Sequence, residues 1–224
     1  MRSMPVLFNR ERTVRKRTVK GGNLVVVLLI SPPNNAQVER FLARVRESSF
    51  SYSETSATSG TVPPQYNLDH NRVQLGSGPE AWDKAVRALR AWKMFEMDWI
   101  HLYWPSTPIQ VGENVAVLAR YLNCHWLNAC RIVYLVDEEA PNRRFGFGYG
   151  TLEDHAESGE ERFMVEWSGE TDEVWYDILA FSRPHQLLAR IGYPLARQLQ
   201  KKFAAGSKDA MMRAVSNASP AQGL

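Results

Sequence analysis

The sequence predicts an α+β fold in which a curved antiparallel sheet of about seven strands packs on a long C-terminal helix. Residues 145–182 read FGFGYGTLEDHAESGEERFMVEWSGETDEVWYDILAFS, three short apolar runs separated by two polar turns. This pattern is typical of three antiparallel strands joined by two hairpins. After it, apolar residues recur at helical spacing from Leu195 through Leu199 to Phe203, within a helix predicted over residues 184 to about 215.

In the first two of these strands, successive side chains point to opposite faces of the sheet, so the residues of each face can be listed. In the first strand Gly146, Gly148 and Gly150 share one face, opposite a face of aromatic residues. A strip without side chains predicts close approach by the long helix or by a ligand. In the second strand Glu161 falls on the same face as Phe163, so a carboxylate is expected on the core side of the sheet. The third strand is apolar on both faces, which indicates that both are covered.

The residues before this stretch supply the other elements in order. A short helix is predicted over residues 36–48, and residues 48–65, rich in Ser, Thr and Pro, are predicted to form a loop draped over the body. A second helix is predicted over residues 79–92, because Pro79 suits a first turn. The remaining strands are predicted over residues 71–75, 98–104, 111–122 and 129–136. Within the long helix, Pro194 is expected to cause a bend.

The predicted organisation is a basic leader over residues 1–35, a single globular domain over residues 36–216 and a tail over residues 217–224. Residues 1–23 hold seven basic residues and one acidic residue, and we expect this leader to be disordered. The formal net charge of the whole chain is +3, so the remainder is mildly acidic and is not expected to bind nucleic acid.

Localisation is predicted from the apolar run and the cysteines. The apolar run over residues 24–30 is too short to span a membrane, which takes about 20 residues. Cys124 and Cys130 have the spacing of neither a zinc site nor a redox motif, so they are read as reduced thiols of a cytoplasmic protein. The oligomeric state is not predicted.

Several long strings resemble one known family. They are GSGPEAWDKAVRALRAWKMFEMDW, FGYGTLEDHAESGEERF, EVWYDILAFSRP, and IGYP with QKKFAAGSKDAM, together with SSFSY around Phe50. In these strings the chain resembles a family of uncharacterised bacterial and plant proteins, domain of unknown function nineteen-ninety, over residues 38–215. The order of elements is similar to the helix-grip fold of START-like lipid-transfer, polyketide-cyclase and plant allergen proteins. That resemblance implies an apolar cavity between sheet and helix, but it fixes no activity.

Candidate site residues follow from Glu161, because a carboxylate on a core face must find a partner or rise in pKa. The partners considered are Arg183, Arg144, Tyr149 and Tyr176, and a structural ion pair is the plain alternative. His155 lies in an acidic hairpin, where a carboxylate could orient it as a general base, or where all the groups could simply be solvated. Asp177 is a weaker candidate of the same kind.

The functional prediction is a binding module for a small apolar or amphipathic ligand, with Glu161, His155, Tyr149, Tyr176 and Arg183 as candidate ligand-binding residues. Two alternatives stay open: an enzyme of the same fold that uses Glu161 or His155 for acid–base chemistry, and a protein-interaction domain with a filled core. No ligand spacing predicts a metal, and no motif predicts a cofactor.

Overall fold

The computed structural model describes residues 27–29, 31–121, 124–155, 157–184 and 193–217. Its helices are α1 (Asn35–Val45), α2 (Gly78–Arg90) and α3 (Tyr193–Asn217), with 3₁₀ turns at Ala57–Ser59 and Lys93–Phe95. Its strands are β1 (Val27–Leu29), β2 (Asn67–Ser77), β3 (Ile100–Tyr103), β4 (Asn114–Tyr121), β5 (Cys124–Glu138), β6 (Arg143–Thr151), β7 (Glu157–Trp167) and β8 (Glu173–Pro184).

The strands form one curved antiparallel sheet, which confirms the predicted fold class. The order is β2-β8-β7-β6-β5-β4-β3, so each strand from β3 to β8 pairs with the next one along the chain. The first long strand, β2, pairs with the last, β8, and the short β1 pairs with the beginning of β5. The central three strands and their hairpins lie where alternation predicts them. The 71–75 prediction is too short, because β2 is an edge strand whose residues alternate between exposed and half-buried positions, and many of them are polar.

Each face of the sheet is covered by different elements. The inner face, defined here as the one that carries Phe147 and Phe163, packs against α2 and α3 and forms the main core with Leu89 and Met211. The outer face of β4 and β5 packs against α1 through Val38 and its neighbours. Helix α1 begins with a capping box, in which the side chains of Asn34 and Gln37 each accept a hydrogen bond from the other's backbone N–H.

The outer face of β6, β7 and β8 is covered by the loop before β2, in agreement with the predicted draped loop. Glu160 of β7 is only 2% exposed and fastens this loop to the sheet. Its carboxylate accepts hydrogen bonds from the Tyr52 hydroxyl (2.7 Å), from the backbone N–H groups of Ser56 (2.7 Å) and Thr58 (2.9 Å), and from the Thr58 hydroxyl (2.5 Å). A buried carboxylate with this many donors is fully satisfied.

The glycine strip lies on this outer face, so the expectation that the long helix or a ligand approaches it is wrong. A Cβ atom added at Gly148 would overlap the ring of Tyr134, and one added at Gly150 would overlap the hydroxyl end of Tyr52. The predicted close approach exists, but two tyrosine side chains make it. They occupy the outer face because α2 and α3 already cover the inner one.

Both predicted chain ends differ in part from the structure. Residues 27–29 of the predicted leader belong to the sheet as β1, and α1 begins at Asn35; residues 1–26 and 218–224 lie outside the described residues. Pro184 ends β8 and the described part of the long helix begins at Tyr193. Residues 185–192, which precede Pro194 in the predicted helix, lie outside the described residues, so the bend at Pro194 stays a prediction.

Candidate functional site

A cavity of about 590 Å³ lies between α3 and the inner face of the sheet. It arises because α3 packs mainly against α2, β2, β8 and the 3₁₀ turn at Lys93–Phe95. Part of the inner face of β4 and β5, from Val117 to Ala119 and from Trp126 to Cys130, therefore lines the cavity. The apolar part of the wall includes Phe95, Trp99, Val117, Trp126, Ile178, Leu199 and Phe203.

Glu161 presents its carboxyl group to this cavity from the inner face of β7. Its Oε2 accepts a hydrogen bond from the Tyr149 hydroxyl at 3.1 Å. Within the described ranges, no other donor and no cation reaches this carboxyl group. Burial raises its pKa to about 8; the Tyr149 hydrogen bond lowers the pKa, and the nearby carboxylates of Glu157 and Asp69 raise it further. At neutral pH the group is therefore mostly protonated.

Two further carboxylates line the same cavity and are tied to α3. Gln200 donates from Nε2 to Glu157 (2.6 Å) and to the Ser182 hydroxyl (2.9 Å), and burial raises the pKa of Glu157. Arg197 forms a two-pronged ion pair with Asp69, with 2.7 Å between Nη2 and Oδ1. These contacts place the polar end of the cavity where the beginning of α3 meets β2, β7 and β8.

Three of the five predicted site residues, Glu161, Tyr149 and His155, line the cavity together. The Nδ1 atom of His155 accepts a hydrogen bond from the Glu157 backbone N–H at 3.0 Å. In that geometry the proton of a neutral ring lies on Nε2. This contact ties the half-buried ring of His155 to the first residue of β7.

The other two predicted residues lie elsewhere. Tyr176 is fully buried on the inner face, and its hydroxyl shares a 2.8 Å hydrogen bond with Ser207 of α3; it does not line the cavity. Its contact fastens α3 to β8, and burial raises its pKa. Arg183 is exposed, with its guanidinium 4.8 Å from the centre of the Tyr66 ring.

Two residues considered from the sequence also lie on the outer face. Arg144 pairs with Glu166 at 2.6 Å rather than with Glu161. Asp177 contacts Arg162 (2.8 Å) and His70 (2.6 Å), so its carboxylate takes part in structural ion pairs. Neither residue is a candidate for the cavity.

Sequence reasoning missed three polar residues that line the cavity, Glu157, Asp69 and Gln200. Glu157 could have been found, because alternation from Glu161 through Gly159 reaches it on the same face of β7. Asp69 and Gln200 carry no such signal, since their proximity depends on how β2 and α3 pack.

Among the described residues, no group of three or more His, Cys, Asp or Glu side chains is placed to hold a metal ion. None of the helices in the described part of the chain has the length and apolar composition needed to cross a membrane.

Residues 51–210 match the family model described as Domain of unknown function (DUF1990). The chain belongs to this family. A UPF0548 protein of Dictyostelium discoideum is 38% identical over 201 residues, which cover 82% of this chain and 93% of the relative. A UPF0548 protein of Deinococcus radiodurans is 37% identical over 190 residues, which cover 80% and 93%. Matches of this length to the two relatives agree with the resemblance found in the sequence.

The chain is also distantly similar to solved structures. Norcoclaurine synthase from Thalictrum flavum, in complex with dopamine and hydroxybenzaldehyde, is 12% identical with a TM-score of 0.39, covering 69% of this chain and 89% of that one. Ara h 8.0201 is 7% identical with a TM-score of 0.41, covering 66% and 98%.

Proposed function

We propose that this protein binds a small amphipathic ligand in the cavity between α3 and the inner face of the sheet. The observation that carries the proposal is a space of about 590 Å³ with mainly apolar walls and one weakly partnered carboxyl group, Glu161. Small-molecule sites typically measure about 300–1,000 Å³, and combine apolar walls with a few polar groups that fix orientation.

The cavity also supports this proposal over a protein-interaction domain with a filled core. Protein interiors are normally close-packed, and few of their voids exceed a water molecule in size. A space of about 590 Å³ is too large to be a packing defect of that kind. A binding site for a small molecule would account for a cavity of this size.

Native mass spectrometry of protein purified without detergent tests the proposal. Ala180 lies opposite Glu161 in the β7–β8 register and lines the cavity, so Ala180→Phe places a large side chain in the space. The matched control is Ala43→Phe, an exposed position of α1. We expect a retained small molecule in the wild type and in Ala43→Phe, and its loss in Ala180→Phe. Equal retention in all three proteins would contradict the proposed location.

A second candidate function is proton transfer to or from the bound ligand. It is favoured by the raised pKa of Glu161, about 8, since a general acid works best with a pKa near the working pH. The Tyr149 hydroxyl beside it could complete a proton path. If Glu161 transfers a proton, Glu161→Gln should still bind but should retain a molecule of different mass, the unreacted substrate. Retention of the same molecule by both proteins favours binding alone.

A further inference from the structure

We infer that the ligand carries a protonated amine at the end that meets Glu161, with an apolar body in the remainder of the cavity. This inference rests on the proposed ligand-binding function and deepens it. It is based on which of the carboxylates that line the cavity form an ion pair within the protein, and on the aromatic side chains that surround Glu161.

The carboxylates of Asp69, Glu157 and Glu161 differ in whether a cation of the protein pairs with them. Asp69 pairs with Arg197, whose charge also lowers the pKa of Glu157. In the part of the chain that the structure describes, Glu157 and Glu161 form no ion pair with a Lys, Arg or His side chain. They lie four positions apart on one strand, roughly 13 Å along β7, so one ammonium group would bind Glu161 while Glu157 adds negative potential.

Two lysines of α3, Lys201 and Lys208, also line the cavity. Lys201 is exposed, and neither lysine forms an ion pair with Asp69, Glu157 or Glu161 within the described residues. Both would repel a cation nearby, so the end of the cavity that attracts an amine is the end at Glu161.

Aromatic rings surround that end. The rings of Tyr149 and Phe163 lie 5.2 Å apart, and those of Phe95 and Phe203 lie 5.5 Å apart. Phe95, Tyr149 and Phe203 also line the cavity. The negative faces of such rings attract a cation and repel an anion. The ring faces and the Glu161 carboxylate thus both favour a positively charged ligand.

The charge state of the ligand decides what happens to Glu161. In the free protein Glu161 is mostly protonated at pH 7; a protonated amine supplies the ion pair that the protein does not, so its binding displaces the proton from Glu161. A neutral hydroxyl leaves Glu161 protonated and offers one uncharged hydrogen bond, whereas an anionic head group meets the negative potential of Glu157 and of the aromatic ring faces. Three probes of equal chain length, decylammonium, 1-decanol and decanoate, therefore separate these possibilities. An alkylamine resembles a lysine side chain, whose pKa is about 10.4, and is protonated at pH 7.

The experiment compares the three probes by quenching of tryptophan fluorescence at pH 7, since Trp99 and Trp126 line the cavity. We expect decylammonium to bind about tenfold more tightly than 1-decanol, and decanoate to bind most weakly. Glu161→Gln should remove most of the advantage of decylammonium and leave 1-decanol within about twofold. The matched control is Glu170→Gln, which removes a carboxylate from an exposed position and should change none of the affinities. Thermal unfolding of each variant verifies that it is folded.

Two results would overturn the inference and leave the proposed function standing. One is binding of 1-decanol or decanoate at least as tight as that of decylammonium. The other is an equal loss for decylammonium and 1-decanol in Glu161→Gln. If none of the probes binds and no small molecule is retained on purification, the proposed function itself fails.

Discussion

Replacing Glu160 with Gln should destabilise the protein strongly, because this buried carboxylate fastens the loop over the outer face. One carboxylate oxygen accepts from the backbone N–H and hydroxyl of Thr58, and the other accepts from the Tyr52 hydroxyl and the Ser56 N–H. An amide has only one accepting oxygen, so at least one buried backbone N–H loses its acceptor. An unpaired buried donor costs about 1–3 kcal/mol, and the remaining hydrogen bonds lose the strength that charge gives them.

The expected loss is therefore about 2–4 kcal/mol in the free energy of unfolding. For a protein of this size it corresponds to a fall in Tm of roughly 5–15 °C. Thermal and urea unfolding at pH 7 measure it.

The next residue supplies a matched control on the opposite face. Glu161 accepts one hydrogen bond and, with a pKa of about 8, is already mostly neutral at pH 7. Glu161→Gln should therefore leave the protein as stable as the wild type or more stable. A loss of under about 0.5 kcal/mol in Glu160→Gln, or an equal loss in both variants, would refute the reasoning.

Three further predictions concern other contacts. The pKa of Glu161 is about 8 in the folded state and 4.5 ordinarily, so the folded protein keeps a proton that the unfolded chain releases between those values. The free energy of unfolding should then fall as pH rises from about 4.5 to 8, by at most about 1.4 kcal/mol per pH unit. Urea unfolding at pH 5, 6.5 and 8 should show this component in the wild type but not in Glu161→Gln. Gly148→Val should cost about 1–3 kcal/mol in the same assay by displacing Tyr134, whose hydroxyl bonds Thr58, and a neutral result would mean that Tyr134 moves freely. Tyr176→Phe should cost about 0.5–1.5 kcal/mol by removing the Ser207 hydrogen bond and should leave ligand retention unchanged. Lost retention would restore Tyr176 to the site.

Local sequence patterns were enough to predict the strands of the central hairpins and which of their side chains share a face. Alternation placed Phe163 and Glu161 together on the inner face, and helical spacing marked the stripe of α3. The motif strings indicated the family to which the chain belongs. These features are readable because period two and period 3.6 are properties of the local backbone.

Which groups each face of the sheet contacts depends instead on how distant parts of the chain pack. Alternation assigns Glu160 and Gly148 to the face opposite the core, which a two-layer fold would leave in water. Both are buried: the loop before β2 closes over Glu160 from far away in the chain, and Tyr134 of β5 lies across Gly148. The partner of Glu161 is Tyr149 rather than Arg183, since strand pairing and not sequence distance sets which side chains are neighbours. The cavity depends on how α3 packs across the sheet, and no local pattern contains that information.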